Sequence, residues 1–177
     1  MKILVLIPAY NEEKNIKGVV QDLNNNFPGK DIVLLNDGSR DKTSKVAGDL
    51  GMDVIDLPFN LGIGGAMQTG FLYACKNGYD AAIQFDGDGQ HMADQIPGLL
   101  ESFHSNGLDL VVGSRFLSGK GYSSSLLRAS GVKILSSIVS WATKMRITDP
   151  TSGFRVYGKR AMKLFSQFYP DDYPEVE

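Results

Sequence analysis

The sequence has few of the residues that staple or ligate: among 177 residues there is one cysteine, Cys75, and two histidines, His91 and His104. A lone cysteine excludes an internal disulfide, and two histidines beside it are too few for a Cys/His zinc site. A reducing compartment is therefore expected. Long hydrophobic runs are missing too. No stretch reaches the roughly 18–20 apolar residues of a membrane-spanning helix, and the run from Ile3 to Ile7 before Pro8 is too short for the core of a signal peptide. Such a chain meets a membrane only from the side, or through sequence beyond it. Nor does one sign of charge dominate: 18 basic and 20 acidic residues leave a net charge of -2, spread along the chain. The basic stripe of a nucleic-acid binder is absent, so nucleic acid is not an expected partner.

What is present is a globular composition, 42% hydrophobic and 21% charged, in a length that suits one domain over residues 1–177 rather than two. The final Tyr173-Pro174-Glu175-Val176-Glu177 closes no element, so the domain is expected to be truncated at its C-terminus. Short apolar runs at residues 2–7, 31–36, 53–57, 81–85 and 108–113 read as strands. Stretches of helical period at 12–26, 41–50, 63–77 and 93–105 alternate with them. That alternation predicts an α/β fold with a mostly parallel, Rossmann-like sheet flanked by helices. Asp41 is the expected N-cap of the second helix and Gly51 its stop. Beyond Gly113, residues 118–125 are rich in Gly and Ser and read as a loop. Residues 126–145 then form a long helical pattern, with Leu127, Ile134, Leu135, Ile138, Val139, Trp141 and Ala142 on an apolar stripe and Arg128, Lys133, Lys144 and Arg146 supplying positive charge. That stripe suits either a core or a membrane interface.

In an open parallel sheet, ligands bind where loops leave the carboxyl ends of strands. The first strand there carries Pro8-Ala9-Tyr10-Asn11-Glu12, the second Asn36-Asp37-Gly38-Ser39, and the fourth Asp86-Gly87-Asp88-Gly89-Gln90-His91. Each alone is an ordinary turn; together they gather carboxylates on one edge. Asp86 and Asp88 supply hard oxygen ligands that suit Mg²⁺ or Mn²⁺ carrying a diphosphate. A calcium-binding EF-hand is excluded, because its Gly and Glu positions are His91 and Pro97. An aspartyl-nucleophile phosphatase stays as a competitor, with Gln90 where Thr or Val is usual. The cluster Gly62-Ile63-Gly64-Gly65 is not a dinucleotide fingerprint, since its sixth position is Met67 and it follows the third strand. Close helix packing or approach to a ligand accounts for it better.

The segments Ile7-Pro8-Ala9-Tyr10-Asn11-Glu12, Asn36-Asp37-Gly38-Ser39, Asp86-Gly87-Asp88-Gly89-Gln90-His91, Gly113-Ser114-Arg115 and Asp149-Pro150-Thr151-Ser152-Gly153-Phe154-Arg155 occur in that order. With them the chain resembles family 2 glycosyltransferases of the GT-A fold, most of all the dolichyl-phosphate mannose synthase branch and its bacterial polyprenyl-phosphate relatives. The resemblance implies that Pro8, Ala9, Tyr10 and Glu12 line a nucleoside pocket, with Asp37 receiving the base or ribose. It implies that Asp86, Gly87 and Asp88 meet the donor diphosphate, and that Asp86, Asp88 and Gln90 hold the metal. Arg115, Arg128, Ser152 and Arg155 would meet phosphate oxygens of the acceptor or the departing diphosphate, a task that suits arginine forks. The implied activity is metal-dependent, inverting transfer from a UDP- or GDP-linked sugar to a polyprenyl phosphate, with peripheral contact at the cytoplasmic face of a membrane. Two departures stand out: Asn36 takes the place of a frequent aspartate, and relatives usually continue further. A non-catalytic binding module and a nucleotidyltransferase remain as alternatives, the second weakened by the acidic loop after the first strand.

Overall fold

The computed structural model describes residues 1–89, 93–105, 107–114 and 126–168, the side chains of 126–130 and 133 excepted. Four strands, β1 (Ile3–Ala9), β2 (Asp31–Asn36), β3 (Asp53–Asp56) and β4 (Ala81–Gln84), alternate with three helices, α1 (Ile16–Asn26), α2 (Thr43–Asp49) and α3 (Gly62–Lys76). A 3-10 turn at Ala93–Gln95 leads into α4 (Ile96–Ser105), followed by β5 (Leu110–Val112), α5 (Leu126–Thr143), β6 (Arg155–Gly158) and α6 (Lys159–Gln167). The sheet runs β3-β2-β1-β4-β6-β5. β1 pairs in parallel with β2 on one side and β4 on the other, and β2 pairs in parallel with β3.

Every residue of β1 is buried, which is how a strand covered on both faces reads: a continuous apolar run rather than an alternation. The period of two still sorts its side chains. Ile3, Val5, Ile7 and Ala9 join Ile16, Val19, Val20 and Leu23 of α1 and Ile96, Leu99 and Leu100 of α4 in one cluster. Leu4 and Leu6 point the other way, into a cluster with Ala66, Met67, Phe71 and Ala74 of α3 and Ala161 and Met162 of α6. The result is helices on both faces of one sheet, each fully buried Leu, Ile or Phe contributing about 1.5–3 kcal/mol.

The predicted parallel α/β sheet is present, with four differences. Residues 12–15 form a turn rather than the first turn of α1, with the N–H groups of Asn15 and Ile16 donating to the Glu12 carbonyl at 2.9 and 3.1 Å. The N-cap of α2 is Lys42, not Asp41; the Asp41 carboxylate instead reaches past it to the Thr43 N–H at 2.9 Å. The larger difference is β6 with α6, absent from the sequence reading. β6 inserts between β4 and β5 and runs antiparallel to both. A four-residue strand shows too little alternation to register as one, and Pro150 and Gly153 ahead of it read as punctuation. Residues 118–125, expected as a loop, lie outside the described residues, and α5 ends at Thr143 rather than at 145.

Two helical glycines separate propensity from packing. A Cβ on Gly70 in α3 would lie 2.8 Å from Cδ1 of both Leu6 and Leu35, whereas one on Gly48 in α2 would meet nothing within 4 Å. Gly48→Ala is expected to raise stability by up to about 1 kcal/mol, and Gly70→Val to lower it by about 1–3 kcal/mol by forcing α3 off the sheet. Urea unfolding of the two variants reads both signs.

Candidate active site

The register of the sheet brings the strand ends to one level. Ala9 lies opposite Asn36, and Asn36 opposite Asp56. The Asp37 N–H donates to the Ala9 carbonyl at 2.9 Å, and the Gly87 N–H to the Pro8 carbonyl at 3.3 Å. Chain order reverses about β1, so a crevice opens above β1 and β4. A cleft of about 350 Å³ lies there. Pro8, Ala9, Tyr10 and Glu12 form one wall, Asp37 a second, and Asp86, Gly87 and Asp88 a third. All eight residues assigned from sequence to the nucleotide-sugar pocket thus line one cavity. Asn60, Gly62, Ile63 and Ala66 line it as well; Gly62 and Ile63 belong to the glycine cluster, whereas Asn60 and Ala66 carry no sequence signal.

Hydrogen bonds between loops keep the walls together. Asn11 adopts a left-handed conformation, φ 58°, which asparagine tolerates better than most residues. Its N–H donates to Ser39 Oγ at 2.9 Å, and its Oδ1 accepts the Arg40 N–H at 2.8 Å. The Glu12 N–H donates to Thr43 Oγ1 at 2.8 Å, the Glu13 N–H to Asp41 Oδ2 at 3.1 Å, and the Lys42 N–H to Glu13 Oε2 at 2.9 Å. Glu12 itself accepts Asn15 Nδ2 at 2.6 Å. Asp37 is buried and its Oδ1 accepts the Leu61 N–H at 2.7 Å, which draws the segment before α3 onto the cleft. Gly38 beneath it must be glycine twice over: its φ is +67°, and a Cβ would sit 2.7 Å from the backbone of Phe59 and Asn60. Asn36, where an aspartate was expected from the resemblance, donates Nδ2 to Asp56 Oδ1 at 2.6 Å, a bond that an ionised carboxylate at that position could not make.

Asp86 and Asp88 are half-buried on the cleft. Gly87 between them is buried, and a Cβ there would lie 3.2 Å from the Pro8 carbonyl oxygen and 3.3 Å from Ile16 Cδ1. Its lack of a side chain therefore serves the packing of the metal-loop candidate against β1 and α1. The segment between α5 and β6 arrives from the opposite side. A Cβ on Gly153 would collide with the Asp86 carboxylate, so any larger residue here would displace that side chain. Arg155 secures the same segment, donating Nε to the Ser152 carbonyl at 2.6 Å and Nη2 to the Pro150 carbonyl at 2.9 Å. Ser152 is fully buried and its Oγ accepts the Phe154 N–H at 3.2 Å. Both residues, assigned from the resemblance to phosphate contacts, thus have loop-holding bonds in this structure. Gln90, His91, Arg115 and the Arg128 side chain lie outside the described residues. Among the described residues no three His, Cys, Asp or Glu side chains gather into a metal cage.

The Glycosyl transferase family 2 model matches residues 4–166. The chain belongs to this family. Among curated relatives, this family 2 domain is 35% identical over 184 residues to a UDP-N-acetylglucosamine–dolichyl-phosphate N-acetylglucosaminyltransferase of Methanococcus voltae, covering 93% of the chain and 72% of that protein. It is 30% identical over 175 residues to an undecaprenyl-phosphate mannosyltransferase of Micrococcus luteus, covering 89% of the chain and 66% of that protein. The fold is that of glucosyl-3-phosphoglycerate synthase from Mycobacterium tuberculosis, solved with Mn²⁺, uridine diphosphate and phosphoglyceric acid, at a TM-score of 0.70 and 20% identity over 90% of this chain and 56% of that one. The family 2 domain therefore has the GT-A fold and spans roughly two thirds of those two curated relatives.

The loop staples carry a pH signature. Burial raises the Asp41 carboxyl, but hydrogen bonds from the Thr43 hydroxyl, the Thr43 and Glu13 N–H groups and its own N–H outweigh that and hold it below its ordinary 3.8. Because the folded value is depressed, the stabilisation is complete above that ordinary value and is lost as pH falls through the folded one. Melting temperatures of wild type and Asp41→Asn measured from neutral pH downward should converge below about pH 4; a constant gap between the two curves would contradict this account.

Proposed function

We propose that this chain is the donor-binding catalytic domain of a metal-dependent, inverting glycosyltransferase that moves a sugar from a nucleoside-diphosphate donor to a polyprenyl phosphate. One observation carries the reading: the ends of β1, β2 and β4 form a single cleft with Asp37 buried at one wall and Asp86 and Asp88 at another. The names of the similar proteins, which include transferases acting on dolichyl and undecaprenyl phosphate, support the choice of acceptor.

Pro8, Ala9 and Tyr10 offer an apolar and aromatic wall to a base. Asp37, with Oδ1 on the Leu61 N–H, has its second oxygen for a donor group of the base or ribose. Two carboxylates on an open cleft are the donor set expected for a small divalent cation that completes its shell with phosphate oxygens and water, so Asp86 and Asp88 fit Mg²⁺ or Mn²⁺, with Gln90 as a further ligand. When bound, such a cation stabilises the negative charge that builds on a departing diphosphate. The chain's own part is to hold that diphosphate between the β1 and β4 loops, with the Gly153 segment closing one side. Arg115 and Arg128 are the proposed contacts to acceptor phosphate. A phosphate acceptor is already ionised near neutral pH and needs no general base, and in-line attack on the anomeric carbon inverts it.

Peripheral membrane contact at the cytoplasmic face is part of the proposal. No helix among the described residues is long and apolar enough to cross a membrane. On α5, Ile134, Ile138 and Trp141 are exposed at 63%, 56% and 84%, at a spacing that puts them on one helix face, and Met145 just beyond the helix is exposed at 60%. Lys144 and Arg146, just past the end of α5, are exposed as well. An aromatic flanked by basic groups suits an interfacial position.

Calorimetry of UDP and GDP binding, with and without Mn²⁺, is expected to show metal-dependent binding of one nucleotide by wild type and its loss in Asp88→Ala. A folded wild-type chain that binds neither would overturn the donor-site reading and favour a non-catalytic module. Trp141 is the single tryptophan of the chain, so its own fluorescence reports the second point. Vesicles containing anionic phospholipid should shift its emission to the blue, and an unchanged spectrum would remove the α5 face from the membrane contact.

A further inference from the structure

β4 contains one polar residue, Gln84, and all four of its residues are buried. A primary amide sealed inside a sheet must have both ends answered by hydrogen bonds. Here they are answered by two different structures. The Tyr157 hydroxyl donates to Gln84 Oε1 at 3.0 Å, and Gln84 Nε2 donates to Asp86 Oδ1 at 3.2 Å. The order of donors follows from charge: the amide oxygen turned toward Asp86 would face a carboxylate with no proton between them. Tyr157 in turn is held by rings on two helices, Phe71 of α3 at a centroid distance of 4.7 Å and Phe165 of α6 at 5.9 Å, both edge-on. The antiparallel register sets Tyr157 opposite Ala82 and Arg155 opposite Gln84. β6 thus supports Asp86 twice, through Tyr157 and through the Arg155-held segment that presses Gly153 against the carboxylate.

A core glutamine satisfied for stability alone could make both its bonds to the backbone or to neighbouring side chains remote from the cleft. This one spends its donor on a cleft carboxylate. We propose that Gln84, oriented by Tyr157, is a positioning residue that fixes the rotamer of Asp86 for a divalent cation on the donor diphosphate. The inference rests on the donor-site reading above and extends it to a residue buried behind the cleft. Groups that orient a metal ligand typically change metal affinity by ~10–100-fold when removed.

The test uses the whole chain, with free Mn²⁺ followed by its electron paramagnetic resonance signal during titration in the presence of UDP or GDP. Metal-free nucleotide affinity and the thermal melt are measured alongside. In Gln84→Met the half-saturating Mn²⁺ concentration should rise ~10–100-fold while metal-free nucleotide affinity keeps its wild-type value. Tyr157→Phe, which retains the ring contacts, should shift it in the same direction by less. If Gln84→Met fails to fold, Tyr157→Phe decides. Folded variants with wild-type Mn²⁺ dependence overturn the inference and leave the donor site standing. So does an equal loss of metal-free and metal-dependent binding, the mark of a merely structural role. A wild-type chain whose nucleotide binding ignores Mn²⁺ overturns the metal reading itself, and this inference with it.

Discussion

Strand β1 has no free side. Parallel neighbours occupy both edges, and helices cover both faces, so its register, direction and height in the sheet are fixed before any loop is considered. A slip of one residue would send Leu4 and Leu6 to the α1 face and Val5 and Ile7 to the α3 face, exchanging two well-filled clusters for two mismatched ones. The level at which Pro8 emerges is set by that packing. The Pro8 and Ala9 carbonyls then accept the N–H groups of Gly87 and Asp37, so the loops after β4 and β2 take their height from β1. Apolar packing far below the cleft decides where its carboxylates stand.

The parts of the molecule legible in the sequence are those whose signal is local. β1, β2 and β4 announce themselves as apolar runs ending in turn residues, and helices α1 to α4 by period and spacing. The loops that carry the eight cleft residues were legible for a related reason, since parallel topology carries strand ends to one edge; the choice of those eight within the loops came from the family resemblance. Asn60 and Ala66 were not legible, because no local signal marks them; packing of α3 on the sheet and the nonlocal bond from the Leu61 N–H to Asp37 bring that segment to the cleft. The cap of α2 shows the same limit on a smaller scale. Asp41 has the chemistry of a cap, but its carboxylate also serves Glu13 from another loop, and the tertiary demand moves the helix start by one residue.

β6 is the element that sequence pattern conceals. Its four residues carry a cation, a valine, a tyrosine and a glycine, which by alternation alone could be a turn. Only the partner strands supply the meaning: Val156 points into the α1 face, Tyr157 into the α3 face, and the Arg155 guanidinium turns back on its own entering segment. Gln84 is the one residue that could have exposed this arrangement from sequence. A glutamine ending an otherwise apolar run in a central strand requires a buried partner, and a tyrosine on a neighbouring strand is among the few side chains that can meet the amide with a hydroxyl while filling the core with its ring.

That placement also explains why an antiparallel strand belongs in a parallel sheet. A fifth parallel strand beside β4 would send its carboxyl end, and the loop after it, to the same edge as the loops after β1, β2 and β4. An antiparallel strand delivers instead the loop that precedes it. The segment from Asp149 to Phe154 therefore meets Asp86 before the chain enters the sheet, with Asp149 and Ser152 buried in the turn and Gly153 at the carboxylate. The strand then continues downward, where Tyr157 reaches Gln84 from below. One short strand thus holds the same carboxylate from the cleft side and from the core side, and a single helix-loop-strand passage ties α5 to the floor of the site.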